Sequence, residues 1–214
     1  MKKTHSNSVI LLIIAAVTFC SPLFGQYTNR DSWQQPERIM DAVGIVSGMT
    51  IGEAGAGDGY LTFYLSKRVG PKGRVYANDI NRNALRTIER RCERENIENI
   101  TTIVGEVADP LFPENELDVV IMLRAFHEFD RPVEWIKNVI PSMKEGAKMV
   151  IVDLEPSKAR YGWNHFMTRE QILAIMEKTD FNLVRIDEFL QQDNIYLFEL
   201  KEEVADERTP QANF

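Results

Sequence analysis

A chain of 214 residues with 44% hydrophobic content can bury a proper core and has an ordinary length for one α/β domain. Its 25 basic side chains against 32 acidic ones give a net charge of −7, which argues against a nucleic-acid partner held by neutralised phosphates. The one arginine-dense stretch, Arg82 to Arg94, is interleaved with Glu89 and Glu93 and reads as the solvated face of a helix.

At the amino terminus, Lys2 and Lys3 precede an apolar run from Val9 to Cys20. The run is short for a membrane span and matches the core of a secretory signal, so residues 1–25 are expected to export the chain to the periplasm or to anchor it through residues 9–20. If that segment does not function, the chain stays cytoplasmic. Cleavage after Cys20 or before Gln26 both fit, and acylation of Cys20 is disfavoured by the bulky Phe19. Processing would leave Cys92 alone, without a disulfide partner, as a small apolar residue on a helix.

Alternating elements follow. Residues 27–48 are a lead-in segment whose helix, Pro36 to Val43, has proline at a permitted first position and Gly44 as its stop. Strand Thr50 to Glu53, helix Tyr60 to Val69, the turn Gly70 to Gly73 and strand Arg74 to Asn78 come next, after which Asn81 caps a helix from Arg82 to Glu95. Strands at Ile100 to Val104, Leu117 to Leu123 and Lys148 to Leu154 flank a helix from Pro132 to Met143. The unbroken apolar runs Val119 to Leu123 and Met149 to Val152 suit a parallel sheet covered on both faces. Thr168 caps a helix through Lys178. The strand patterns Leu183 to Phe189 and Ile195 to Lys201 then leave no room for a helix between them, which predicts an antiparallel hairpin. The fold class is therefore α/β: a Rossmann-like, doubly wound, mostly parallel sheet of seven strands ending in an antiparallel hairpin, three layers deep. One domain is expected over residues 26–201, with a disordered acidic tail at 202–214.

The first strand ends in Glu53-Ala54-Gly55-Ala56-Gly57-Asp58-Gly59-Tyr60, a carboxylate followed by glycines at alternate positions. Glycine admits positive φ and lets a ligand approach bare backbone. A dinucleotide fingerprint would place its third glycine where Tyr60 stands, and no Gly-Lys-Ser/Thr follows to cradle a triphosphate. The second strand leads into Asp79, about where a βαβ unit brings an acid to ribose hydroxyls. This set resembles motif I of the class I S-adenosylmethionine (SAM) dependent methyltransferases, acid-x-Gly-x-Gly-x-Gly, matched by Glu53, Gly55, Gly57 and Gly59; the likeness extends over about Trp33 to Leu200.

The resemblance implies a SAM-dependent methyltransferase; its motifs leave the methyl acceptor unidentified, and the acidic charge with the His after the fourth strand favours a small molecule over nucleic acid. It implies that Glu53 holds the methionine ammonium and that Gly55, Ala56 and Gly57 line the cofactor. Asp79 would take the ribose hydroxyls, Ile80 the adenine face, and Glu106 with Val107 the adenine edge. His127, soon after the fourth strand, would be a general base for the acceptor, or else a packing residue bonded to a backbone carbonyl. Arg124, Tyr161 and Trp163 would shape the acceptor pocket, the last two from the aromatic loop Glu155 to Met167, and Trp33 with Tyr27 would cover the cofactor or anchor the lead-in segment. No residue set is assigned to a metal. A reading from another class, an exported binding protein that keeps the fold without transferring methyl, is opposed by the intact Glu53, Gly55, Gly57 and Asp79.

Overall fold

The computed structural model describes residues 25–158 and 165–201, with side chains from residue 30 onward. Seven strands build one sheet: β1 (Thr50–Ala54), β2 (Arg74–Asp79), β3 (Ile100–Val104), β4 (Leu117–Leu123), β5 (Met143–Leu154), β6 (Phe181–Asp187) and β7 (Asp193–Leu200). Their order across the sheet is β3-β2-β1-β4-β5-β7-β6. The first five pair in parallel, while β7 runs antiparallel to both β5 and β6. The strand order reverses direction between β1 and β4, so a crevice opens at their carboxyl ends, where ligands of such sheets bind.

The helices are α1 (Gly25–Gln34), α2 (Pro36–Val43), α3 (Tyr60–Val69), α4 (Arg82–Glu95), α5 (Pro132–Val139) and α6 (Arg169–Met176). Alternate residues of β4 serve opposite faces. Val120 and Met122 pack with Trp135 and Ile136 of α5 and Ile172 of α6, while Val119 and Ile121 pack with Ile39 of α2 and Leu61 and Leu65 of α3. Burying each such side chain contributes about 1.5–3 kcal/mol, which is why the central strands read as continuous apolar runs. Local signals set the helix ends. Asn81 accepts from the amides of Asn83 and Ala84 at 3.0 and 3.3 Å, and Thr168 forms a reciprocal capping box with Gln171.

The hairpin, the seven strands and the three layers agree with the sequence reading. Some boundaries differ. The helix expected to reach Met143 stops at Val139, because Pro141 has no amide to donate and Ile140–Ser142 tightens into a 3-10 turn; β5 consequently begins at Met143. The hairpin strands start at Phe181 and Asp193, earlier than the apolar pattern suggested. Helix α1, within the lead-in segment, was not anticipated. No helix among the described residues is long and apolar enough to cross a membrane. The signal-like segment up to residue 24, the tail 202–214, and Tyr161 and Trp163 lie outside the described residues.

Candidate active site

The glycine turn after β1 holds three positive-φ glycines whose duties differ. A Cβ on Gly55 would stand 2.3 Å from the Ala125 Cβ, and one on Gly59 would stand 2.8 Å from Phe63 and 2.9 Å from Ile88. Packing demands those two. At Gly57, with φ +56, a Cβ would meet nothing within 4 Å, so this stretch of bare backbone faces open space. Ala56 is not a cavity residue: it is buried with Ala77, Leu85 and Ile88, and its amide donates to the Asn78 carbonyl at 2.9 Å. The resemblance assigned it to the cofactor; its side chain belongs to the core.

Asp79, at the end of β2, clamps this turn. One carboxylate oxygen accepts from the Gly57 amide at 2.8 Å and the other from the Asn81 amide at 2.7 Å. Each oxygen keeps a lone pair, enough to receive two neighbouring hydroxyls. Asn78 donates to the carbonyls of Ile103 at 3.3 Å and Pro110 at 2.7 Å, which secures the loop bearing Glu106 and Val107. Together these elements enclose a cavity of about 260 Å³ lined by Gly55, Asp79, Ile80, Glu106, Val107 and Arg124, with Phe129 and Trp135 opposite. Ile80 is 65% exposed and Val107 46% exposed, so two apolar side chains flank the opening with about half or more of their surface uncovered. A wider groove of about 820 Å³ lies between α3 and α4, but Glu95 in its wall pairs with Arg91 and Arg94, and neither Glu53 nor Asp79 lines it. The smaller cavity is the cofactor candidate.

Glu53 departs from expectation. Its carboxyl is 2% exposed and absent from the cavity wall, and it accepts from the Thr62 hydroxyl at 2.5 Å. Burial pushes its pKa up to about 8, against the opposing Thr62 bond and the positive charge of Arg30. Arg30, on α1, escaped the sequence reading. Its guanidinium lies 3.6 Å from the Tyr60 ring centroid, its pKa is lowered mainly by burial, and its buried Nε has no partner among the described residues.

Helix α1 is fastened over this end of the sheet. Asp31 accepts from the hydroxyls of Tyr60 at 2.8 Å and Tyr64 at 2.7 Å, and Gln34 donates to Asp193 at 2.5 Å. Arg124, at φ 52, pairs with the wholly buried Asp193 at 2.7 Å, donates to Gln192 at 2.9 Å, and places its guanidinium 4.4 Å from the Trp33 ring centroid. Arg124 thus lines the cavity while locking α1 to β7. Trp33 anchors the same junction. Tyr27 lies on α1, its side chain outside those described.

His127 sits on the 3-10 turn Phe126–Glu128 just past β4. Its partner is a carboxylate, not the backbone carbonyl considered from sequence. Nδ1 lies 2.9 Å from both oxygens of Asp153, which also accept from the amides of His127 at 3.2 Å and Leu154 at 2.8 Å. An ionised carboxylate only accepts, so Nδ1 carries a hydrogen, and Nε2 lies 3.3 Å from Glu128 Oε1. The Phe166 ring lies 4.1 Å away and the His165 ring 5.6 Å, so His165 joins a face that the sequence had given to His127 alone. Asp153 was missed as well, although an acid inside the apolar run of β5 was a visible signal.

Residues 51–147 match the methyltransferase domain family. A demethylmenaquinone methyltransferase of Lactococcus lactis is 25% identical over 127 residues, covering 59% of this chain and 50% of the relative. The chain thus spans about half the length of that relative. Among solved structures, a SAM dependent methyltransferase from Aquifex aeolicus superposes with a TM-score of 0.75 at 23% identity, covering 81% of this chain and 96% of the other. Geranyl diphosphate C-methyltransferase from Streptomyces coelicolor, solved with S-adenosyl-L-homocysteine, gives a TM-score of 0.66 at 15% identity over 80% of each chain.

Proposed function

We propose that this chain, which belongs to the class I SAM-dependent methyltransferases and has SAM as its cofactor, methylates a small-molecule acceptor. The observation that carries the reading is the meeting of open glycine backbone at Gly57 with the unspent lone pairs of Asp79 at the carboxyl ends of β1 and β2. SAM supplies a methyl group on a sulfonium, electrophilic enough to be taken directly by a nucleophile.

The residues then divide the work. Asp79 takes the ribose hydroxyls, Ile80 and Val107 sandwich the adenine, and Glu106 stands at its edge. Buried Glu53 with Arg30 beside it addresses the zwitterionic methionine end, the carboxyl answering the ammonium and the unpartnered Arg30 Nε the carboxylate. Arg124 and the α1 junction close the cavity against water and hold the acceptor side in register. His127, oriented by Asp153, presents Nε2 to the acceptor and removes its proton as the new bond to carbon forms. The relative's name makes quinones the first acceptors to try. Residues 1–25 direct export or anchoring, which a fusion to a reporter active only outside the cytoplasm checks.

Titration calorimetry with SAM and S-adenosylhomocysteine, followed by a labelled-SAM screen of hydroxylated, aminated and carboxylated compounds, tests the reading. Micromolar binding of both nucleosides is the expected result. Absence of binding at millimolar concentration would overturn it.

A further inference from the structure

We infer that His127, Glu128 and His165 form a binding site for a divalent transition-metal ion, with Zn²⁺ as the type case, at the mouth where the acceptor enters. Their ligand atoms all lie within 4.8 Å of one another. The His127 Nε2 and Glu128 Oε1 atoms are 3.3 Å apart; two ligands at ~2.0–2.1 Å from a tetrahedral zinc sit about 3.3 Å from each other. This pair is therefore already spaced as ligands are.

The surroundings fit an ion better than a chance cluster. His127 is nearly enclosed, its side chain 5% exposed, and its Nδ1–H is held by Asp153, the carboxylate–histidine arrangement that orients metal-binding imidazoles. Glu128, 71% exposed, and His165 both lie at the surface, where an ion can reach them. The two ligands adjacent in sequence come from the turn after β4 and the third from the loop before α6, so the ion would tie two separate segments of the acceptor face. Phe166, with its ring 4.1 Å from both histidine rings, shields one side. Two imidazoles and one carboxylate are the donor set of catalytic zinc sites that keep a position open, and a poor one for Mg²⁺ or Ca²⁺, which favour oxygen ligands.

An acceptor oxygen bound at the open position would lose its proton more readily, so the ion would take over from Nε2 the task of activating the acceptor. That consequence rests on the methyltransferase reading. The binding itself does not.

The full chain, stripped with chelator, is titrated with Zn²⁺ by calorimetry and with Co²⁺ by visible absorption. One equivalent bound at micromolar or tighter Kd, with the intensified absorption of low-coordinate Co²⁺, is expected. His165→Ala and Glu128→Gln, both exposed and so safe for folding, should each weaken binding tenfold or more, and Asp153→Asn about tenfold through its hold on His127. The SAM titration of His165→Ala, which is absent from the cofactor cavity wall, should match the parent. Binding well below one equivalent, or unchanged affinity in the His165→Ala, Glu128→Gln double variant, would overturn the site. Loss of SAM binding in the parent with metal binding intact would sink the methyltransferase reading alone.

Discussion

Glu53→Gln separates two opposed pH effects on a single carboxyl. In the unfolded chain this group ionises near 4.5, and in the fold burial raises it to about 8. Between those values the folded state binds a proton that the unfolded state has released, so stability is fullest below pH 4.5 and is lost as pH climbs through the window, levelling off above 8. The slope is about 1.4 kcal/mol per pH unit, or about 3 kcal/mol between pH 5.5 and 7.5. Glutamine resembles the neutral acid and can still accept from Thr62, so the variant lacks this slope. Its melting temperature relative to the parent should rise by roughly 5–10 °C across that interval. Binding runs the other way. An ammonium beside Glu53 favours the carboxylate, so SAM affinity of the parent should increase with pH from 6 to 7.5 by up to about tenfold per unit, while the variant binds weakly and without that dependence. Thermal melts and calorimetry over the same buffers measure both. Parallel stability curves for parent and variant would refute the buried neutral acid, and a pH-independent parent affinity would refute its contact with the ammonium.

Asp79→Ala should weaken SAM binding at least tenfold, since one hydrogen bond to a charged group contributes about 1.5–3 kcal/mol and the clamp on the Gly57 amide is lost with it; calorimetry decides. Gly57→Val should fold, at a modest cost for its positive φ, yet fail to bind SAM, whereas Gly55→Val should melt early because its Cβ collides with Ala125. The reverse pattern in melts and binding would disprove the division of labour among the glycines. Asp193→Ala strands the Arg124 guanidinium and frees Gln34, and a loss of about 3 kcal/mol in denaturant unfolding is expected; a change under 1 kcal/mol would mean that α1 is held elsewhere. Once an acceptor is known, His127→Ala should lower kcat about 10²-fold with the SAM Kd unchanged, and Asp153→Asn should follow it in part; poor SAM binding in both would instead make the pair structural.

The sheet was legible because its strands are buried on both faces and so carry uninterrupted apolar residues, and because nothing helical fits between Phe189 and Ile195. The helices Pro36–Val43, Tyr60–Val69 and Arg82–Glu95, which each end at a glycine or Asn96 of positive φ, were legible, whereas the helix capped by Thr168 stops at Met176, short of the expected Lys178. The end of α5 was not, because apolar periodicity carries on through Pro141 while the backbone hydrogen bonds do not. Helix α1 has mostly polar residues and no apolar stripe to announce it. What fixes it is a set of partners supplied by Tyr60, Tyr64 and Asp193, far away in the chain.

The site shows the same limit in sharper form. Acids stand at one end of the sheet, near the end of β1, at the end of β2, near the end of β5 and at the start of β7, where the register Leu154↔Asp193 sets Asp193 one residue along from Asp153. From sequence they are interchangeable carboxylates at strand ends. Their neighbours make them different: Glu53, sealed against Thr62, holds its proton, and Asp79, open on one side, keeps lone pairs for a ligand. Asp153 spends its acceptors on an imidazole and two amides, and Asp193 balances Arg124 beneath α1. The resemblance located the first two because their spacing from the glycines is local. Asp153 and Asp193 act through contacts made across strands, and only the pairing of β4, β5 and β7 turns them into the supports of His127 and Arg124.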